Sequence, residues 1–159
     1  MQSRRTLFRH LALGIAAGTS LAVLSRPAAA ARLPAVFTSK PKGVAVGGYD
    51  TVAYFTDKKP VKGNPAITAE HNGAVWWFAT EANKALFVAN PARYAPQYGG
   101  YCAWAVASGY TADGDPEAWS VANDKLYLNY NKAVRFAWAR DIPGNVKKGD
   151  ANWPVVLDK

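Results

Sequence analysis

Two segments in which apolar and polar residues alternate predict β-hairpins. The first runs over residues 67–71 and 74–79, which flank Asn72-Gly73, a dipeptide favoured in the two-residue turn between antiparallel strands. The second runs over residues 119–122 and 125–129, with Asn123-Asp124 at the turn. The pattern therefore predicts two antiparallel pairs of strands.

A short helix is predicted after each hairpin. Thr80 is a favoured N-cap residue, so the first helix would run over Glu81–Ala89 and end before Asn90-Pro91. Asn131 would cap a second helix that continues to about Arg140. The apolar contacts of this second helix would come from Val134, Phe136, Ala137 and Trp138. Together these elements predict a small single domain of the α+β class, built from antiparallel hairpins and short helices.

The N-terminal segment, residues 1–30, has the three parts of an export signal. Arg4 and Arg5 form a twin-arginine motif, a weakly apolar segment follows at residues 11–24, and three alanines end the segment at Ala30. A membrane span needs about 20 apolar residues, so we expect cleavage near Ala30 and no stable membrane insertion afterwards. The expected partner during export is the twin-arginine translocon, and the expected location is the periplasm.

Charge and length limit what the mature part can be. Removing residues 1–30 takes away four arginines, which lowers the formal charge from +8 to +4 and leaves residues 31–159. This length suits one domain, which we place at residues 49–159 behind an extended lead-in at residues 31–48. The lysines and arginines of the mature part are scattered along the chain, so we expect no nucleic-acid partner.

The chain has one cysteine, Cys102, so no intramolecular disulfide can form. A single cysteine in an exported protein has three ordinary explanations: a buried small apolar residue, a metal ligand or an intermolecular bridge. His71 is the only histidine after the export signal. A Cys102 thiolate and a His71 imidazole would suit a transition metal such as copper.

Other residues give weaker indications of chemistry. The acidic run at residues 113–117 presents three carboxylates, and we interpret it as a solvated loop rather than a calcium site. Asp50 follows two glycines and a tyrosine, a setting in which a carboxylate accepts backbone amides or caps a helix. Several aromatic residues fall between Tyr94 and Tyr110, where they either fill the core or line a small-molecule groove.

Several short motifs resemble those of YHS domains, and in particular the exported, stand-alone YHS proteins of bacteria. They occupy residues 48–55, 72–79, 87–94, 96–103, 125–129 and 152–154. YHS domains are commonly assigned a heavy-metal role that depends on cysteines in patterns such as Asp-Pro-Val-Cys-Gly and Phe-Cys-Ser-x-x-Cys-x-x-x-Phe. Aligned with this chain, those cysteines fall on Ala53, Ala79 and Asn83. The resemblance therefore implies the fold but not the family's thiol ligands.

The resulting expectation is a non-catalytic periplasmic binding protein. A metal is the first candidate ligand, with Cys102 and His71 as its donors. The alternative is a ligand-free interaction or assembly module, in which Cys102 is buried and aromatic side chains meet a partner protein. An enzyme is the third hypothesis, and the sequence offers it no matched acid–base pair or triad.

Overall fold

The computed structural model describes residues 31–158, so Arg4, Arg5 and the rest of the predicted export signal lie outside the described residues. Short helices and two pairs of strands follow one another along the chain. The strands are β1 (Asn64–His71), β2 (Ala74–Phe78), β3 (Asp115–Ala122) and β4 (Lys125–Asn129). The helices are α1 (Ala53–Thr56), α2 (Glu81–Ala89), α3 (Pro91–Tyr94), α4 (Ala103–Ala107), α5 (Lys132–Trp138) and α6 (Ile142–Asn152).

Both predicted hairpins are confirmed. Strand β1 pairs with β2 and β3 pairs with β4, each in antiparallel register, and the two pairs form separate sheets. The turn residues Asn72 and Gly73 have φ values of 50° and 76°, and Asn123 and Asp124 have values of 49° and 56°. Positive φ at both central residues is what the tight hairpin turn requires, and asparagine, aspartate and glycine tolerate it best. The α+β class predicted from the sequence is therefore confirmed.

The predicted helix starts are confirmed as well. The Thr80 hydroxyl accepts a hydrogen bond of 3.1 Å from the Asn83 amide, and the Asn131 side chain accepts one of 2.8 Å from the Val134 amide. The α5 helix ends at Trp138, and a 3-10 turn continues the chain over Ala139–Asp141. No helix within residues 31–158 is long and apolar enough to cross a membrane.

One expectation about α5 is wrong. Phe136 was expected to supply an apolar contact, but its side chain is 74% exposed, whereas Trp138 is completely buried. The reason is helical spacing, because Val134 and Trp138 lie four residues apart and share the face that packs inward. Phe136 lies between them in sequence and therefore points away from the core.

Helix α6 was not predicted from the sequence pattern. Its 11 residues contain one proline and two glycines and few apolar side chains. Contacts made at both of its ends explain why it forms. Asp141 caps it by accepting a hydrogen bond of 3.0 Å from the Gly144 amide. Near its other end, the Asn152 side chain donates to the Val106 and Ala107 carbonyl oxygens of α4 at 2.9 and 3.2 Å.

The interior has two apolar clusters, and strand β4 contributes to both. Leu126 and Leu128 pack with the first cluster, around Trp76 and Phe87, whereas Tyr127 packs with the second, around Trp138. Successive side chains of a strand point to opposite faces, so β4 separates the two clusters and is buried by both. The first cluster is built mainly from residues before 90, and the second mainly from residues after 97.

The lead-in at residues 31–48 first contacts the second half of the chain, and its later part pairs with strand β2. The Leu33 amide donates to the Leu157 carbonyl at 2.8 Å, and the Phe37 amide donates to the Gly99 carbonyl at 2.9 Å. Between them Val36 is buried in the first cluster. The segment is thus held by backbone hydrogen bonds as well as by apolar burial.

Candidate functional site

Asp50 lies at a fully buried junction between three segments. Its Oδ1 accepts a hydrogen bond of 2.9 Å from the Val52 amide. Its Oδ2 accepts bonds of 2.8 Å from the Ala79 amide and 2.7 Å from the Asn83 side chain. A buried carboxylate needs such donors, and here they tie the approach to α1, the residue after β2 and the first turn of α2 together.

The Asp50 junction also gathers the three positions at which the YHS resemblance places thiols. Ala79 and Asn83 both donate to Asp50 Oδ2, and Ala53 directly follows Val52, which donates to Oδ1. Alanine offers no ligand atom, and the Asn83 amide is already bonded to the carboxylate. Because soft metal ions take thiolate or imidazole donors, the residues present at this junction do not fit the metal that the resemblance implies.

His71 ends strand β1 beside the first apolar cluster. Its ring meets Phe87 edge-on at 5.8 Å between centroids and lies 6.4 Å from the Trp76 ring. Its carbonyl oxygen accepts a hydrogen bond of 3.0 Å from the Trp76 indole N–H. The imidazole is half-buried and lines two neighbouring cavities of 410 and 590 Å³.

Cys102 lies immediately before helix α4 and is only 1% exposed. Its thiol lies 3.9 Å from Asn129 Oδ1, which also accepts a hydrogen bond of 3.2 Å from the Trp104 amide. Asn129 is fully buried, and its Nδ2 has no hydrogen-bond partner. The Asn129 side chain, at the end of β4, therefore holds the start of α4 in place beside Cys102.

Cys102 and His71 line different cavities. His71 borders the 410 and 590 Å³ cavities, whereas Cys102 borders a third cavity of 290 Å³. Within residues 31–158, no three His, Cys, Asp or Glu side chains are grouped so that they could hold a metal ion. The Cys102–His71 metal site stays a prediction, and this placement of its two donors lends it no support.

The 290 Å³ cavity is an aromatic cleft at the surface of the second half of the chain. Three rings line it: Trp104 on α4, Tyr110 on the following loop and Tyr130 just after β4. Its remaining lining consists of Cys102, Ala105, Ala112 and Val134. Within the part of the chain that the structure describes, no charged side chain belongs to this lining.

Local hydrogen bonds hold the aromatic cleft together. The Cys102 amide donates to the Ala112 carbonyl at 2.9 Å, and the Tyr110 amide donates to the Ala105 carbonyl at 3.1 Å. These bonds fold the loop after α4 back against the start of that helix. On the other side, the Asn131 cap orients α5 so that Val134 faces the cleft.

The rings of the aromatic cleft are accessible from solvent. Trp104, Tyr110 and Tyr130 are 36%, 51% and 56% exposed. The Trp104 indole N–H and the two tyrosine hydroxyls make no hydrogen bond to the rest of residues 31–158, and no lysine or arginine of that range lies over the three rings. Their faces and polar tips are thus free to meet another molecule.

The larger 590 Å³ cavity is less suited to a ligand. Its lining includes Trp76 and Tyr98, but the polar tips of both rings are engaged inside the protein. The Trp76 indole N–H donates to the His71 carbonyl, and the Tyr98 hydroxyl lies 2.9 Å from Asp150 Oδ1. Burial and the Asp150 hydrogen bond together raise the pKa of Tyr98 above its ordinary value. These rings stabilise the fold, whereas those of the aromatic cleft have unused hydrogen-bonding groups.

Residues 52–98 match the family model of the YHS domain. The chain contains a YHS domain. This match begins just before α1 and ends at Tyr98, so it includes the Asp50 junction's partners Ala79 and Asn83. The comparisons found no match among curated proteins and none among solved structures.

The aromatic cleft lies wholly outside the matched YHS segment. Every residue that lines it falls between Cys102 and Val134, after the match ends. The YHS segment instead supplies most of the first apolar cluster and the Asp50 junction. The candidate site is therefore a feature of the part of the chain that follows the YHS segment.

The acidic run at residues 113–117 is more ordered than the solvated loop that the sequence indicated. Strand β3 begins within it at Asp115, whose Oδ1 accepts a hydrogen bond of 2.8 Å from the Glu117 amide. The Glu117 carboxylate in turn accepts a bond of 3.1 Å from the Tyr49 hydroxyl. Two of its three carboxylates are thus engaged within the protein.

The sequence pointed to part of the aromatic cleft and not to the rest. Cys102 was a candidate ligand, and Trp104 and Tyr110 belonged to a group of aromatics for which a groove was considered. Tyr130 and Asn129 were not assigned to a site, and Val134 was expected only to supply an apolar contact of the second helix, because all three lie much further along the chain, beyond the second hairpin turn. Of the three explanations for Cys102, a buried small apolar residue agrees with its burial.

Proposed function

We propose that the mature chain is a non-catalytic binding module of the periplasm, and that it binds through the aromatic cleft. The observation that carries this proposal is the cleft itself: three exposed rings with free polar tips around an uncharged cavity of 290 Å³. Small-molecule sites are typically concave, mostly apolar and provided with a few polar groups. The aromatic cleft has each of these features.

The other candidate chemical groups make contacts that stabilise the fold. Asp50 accepts three hydrogen bonds from the protein, and His71 is packed against two aromatic rings. Cys102 is almost completely buried, with its thiol directed at Asn129. A nucleophile or general base needs access to a reacting group, which Asp50 and Cys102 lack, and this favours binding over catalysis.

The periplasmic location is supported by the sequence of the N-terminal segment. Arg4 and Arg5 precede an apolar segment that is followed by small residues, the order found in export signals. The twin-arginine translocon is the proposed partner during export. Fractionation tests this part of the proposal: replacing Arg4 and Arg5 together with lysine should leave the uncleaved chain in the cytoplasm, whereas the natural sequence should give a cleaved periplasmic form.

Elemental analysis tests binding through the aromatic cleft against binding through a metal. The protein would be purified from the periplasm without chelators, beside Cys102→Ser and His71→Ala variants. We expect far less than one equivalent of any transition metal in all three proteins. Near-stoichiometric copper or zinc in the natural sequence, lost in either variant, would overturn the proposal and establish Cys102 or His71 as a ligand. Serine at position 102 preserves most of the packed volume but buries a hydroxyl, so circular dichroism establishes that each variant is folded before its metal content is measured.

A further inference from the structure

The lining of the aromatic cleft restricts the kind of ligand that it can hold. Among residues 31–158, the lining contains no acidic or basic side chain, and its ionisable groups are one thiol and two phenols. A charged ligand group placed there would lose hydration without forming an ion pair, and a cation would gain only the weaker attraction of the ring faces. This charge complementarity favours an uncharged occupant.

The three rings favour a flat occupant. Trp104, Tyr110 and Tyr130 line one cavity, yet none of them stacks on another aromatic ring of residues 31–158. A cavity bordered by unstacked rings offers aromatic faces to whatever enters it. Aromatic pairs gain about 0.5–1.5 kcal/mol beyond the burial of their area, and a planar aromatic ring makes best use of such faces.

The free polar tips of the three rings favour a ligand that can accept a hydrogen bond. The Trp104 indole N–H and the Tyr110 and Tyr130 hydroxyls are donors without a partner in residues 31–158. A ligand that covers them without accepting a hydrogen bond would leave a donor unsatisfied, which costs free energy. An oxygen substituent on the ring would meet this need.

We infer that the aromatic cleft binds a small neutral aromatic ring that carries a hydroxyl or carbonyl oxygen. The ring lies against Trp104 and the two tyrosines, over the apolar surface of Ala105, Ala112 and Val134. Its oxygen accepts a hydrogen bond from one of the three free donors. This inference rests on the proposed function and names the class of ligand for the same site.

The test is a titration of the full mature protein with four probes of similar size, followed by two-dimensional NMR. The probes are p-cresol, 4-methylcyclohexanol, benzoate and benzyltrimethylammonium. We expect saturable shifts at cleft residues with p-cresol, with a Kd at or below about 1 mM. The saturated alcohol has the same hydroxyl but no aromatic face, so its Kd should be at least about threefold higher than that of p-cresol. The anion and the cation should bind more weakly still.

Matched variants connect the binding to the aromatic cleft. Trp104→Leu and Tyr130→Leu remove one exposed ring each and should weaken p-cresol binding roughly three- to tenfold. Phe136→Leu removes a ring that is 74% exposed but does not line the cleft, and it should leave the Kd unchanged. Thermal unfolding of each variant shows whether it is folded before the titration.

The possible outcomes separate this inference from the proposed function. Tighter binding of benzyltrimethylammonium or benzoate in the cleft would overturn the neutral-ring inference and leave a binding module in place. Binding of p-cresol that Trp104→Leu and Tyr130→Leu do not weaken would overturn the assignment of the site. Binding of none of the four probes would overturn the inference alone. The proposed function fails separately, if elemental analysis finds a stoichiometric metal held by Cys102 or His71, or if ligand binding proves insensitive to Trp104→Leu and Tyr130→Leu.

Discussion

The Asn83 side chain donates a hydrogen bond of 2.7 Å to the Asp50 carboxylate, and these two residues join α2 to the approach to α1. Asn83 stands at one of the three positions where the YHS resemblance places a cysteine. At this position the chain has a hydrogen bond instead of a metal ligand. Asp50 is thereby a structural residue that stabilises the fold.

Replacing Asp50 with asparagine should destabilise the fold by about 2–4 kcal/mol, because hydrogen bonds to a charged group contribute about 1.5–3 kcal/mol each. The variant loses the negative charge and turns an amide N–H₂ toward a donor. The measurement is urea unfolding followed by far-UV circular dichroism. Asp124→Asn is the control, since the Asp124 side chain is 79% exposed and its ion pair with Arg93 spans 3.8 Å. If the free energy of unfolding falls no more in the Asp50 variant than in this control, the structural role of Asp50 is contradicted.

Tyr54 should make stability fall in alkaline solution. Its side chain is fully buried, and its hydroxyl donates to the Pro116 carbonyl at 2.9 Å. Burial, more than the nearby negative charges, raises the pKa of Tyr54 above its ordinary value. A tyrosine whose pKa is raised by folding contributes its full stabilisation below the pKa that it has in the unfolded state, which is about 10. This contribution is lost as the pH rises above that value. The free energy of unfolding should therefore decrease as the pH rises above about 10.

The Tyr54→Phe variant isolates this effect. Near pH 7 it should be less stable by about 1 kcal/mol, because the hydrogen bond to Pro116 is lost. Above about pH 10 its stability should fall less steeply than that of the natural sequence, by up to about 1.4 kcal/mol per pH unit. Denaturant midpoints measured between pH 7 and 11 give both slopes. Identical slopes would show that Tyr54 ionises equally well in the folded and unfolded states.

The Cys102 thiol should be protected from reagents in the native protein. It is 1% exposed and is covered by the start of α4 and by Asn129. Reaction with a thiol reagent must wait for local opening, so labelling should be at least about a hundredfold slower than in urea. The rate is followed by the absorbance of the released aromatic thiolate from Ellman's reagent. Rapid labelling of folded protein would show that the thiol is accessible and would reopen the ligand hypothesis.

Replacing Gly99 with alanine should disrupt the docking of the lead-in. Gly99 has a φ of 61°, and a Cβ there would collide with the Ala35 carbonyl oxygen. Gly73→Ala is the control, since its φ is 76° but no atom lies within 4 Å of the added carbon. The control should lose about 1–2 kcal/mol from backbone strain alone. The Gly99 variant should lose at least about 3 kcal/mol, since a backbone clash adds to the strain. If thermal unfolding shows equal losses of stability in the two variants, the lead-in moves to accommodate the added methyl group without further cost.

The elements that could be predicted from the sequence depend on neighbouring residues. Asn72-Gly73 forms the turn between β1 and β2 because both residues accept a positive φ. Thr80 starts α2 by accepting a hydrogen bond from the amide of Asn83, three residues later. Such interactions involve few residues and few alternatives. Helix α6 has weak signals of this kind, because Gly144 and Gly149 lower helix propensity, and its stability comes from docking.

The Tyr98 contact with α6 shows why docking escapes prediction. The Tyr98 hydroxyl lies 3.2 Å from the Val146 carbonyl oxygen and 2.9 Å from Asp150, both of which are remote from it in sequence. A Cβ at Gly149 would meet the Tyr98 ring, so the glycine lets this helix approach closely. No local sequence pattern predicts a contact between residues so far apart, because many pairings of segments are compatible with the same apolar positions.

The sequence by itself determined the two hairpins, the capped helices α2 and α5, the α+β class and the resemblance to YHS domains, since each depends on residue types at short, fixed spacing. The tertiary structure decided which candidate residues share a site. It buried Cys102 beside Asn129, placed His71 on another cavity and brought Tyr130 to the cleft of Trp104. The physical reason is that side chains distant in sequence meet only through packing of the whole chain, to which β4 contributes by placing alternate side chains in the two apolar clusters.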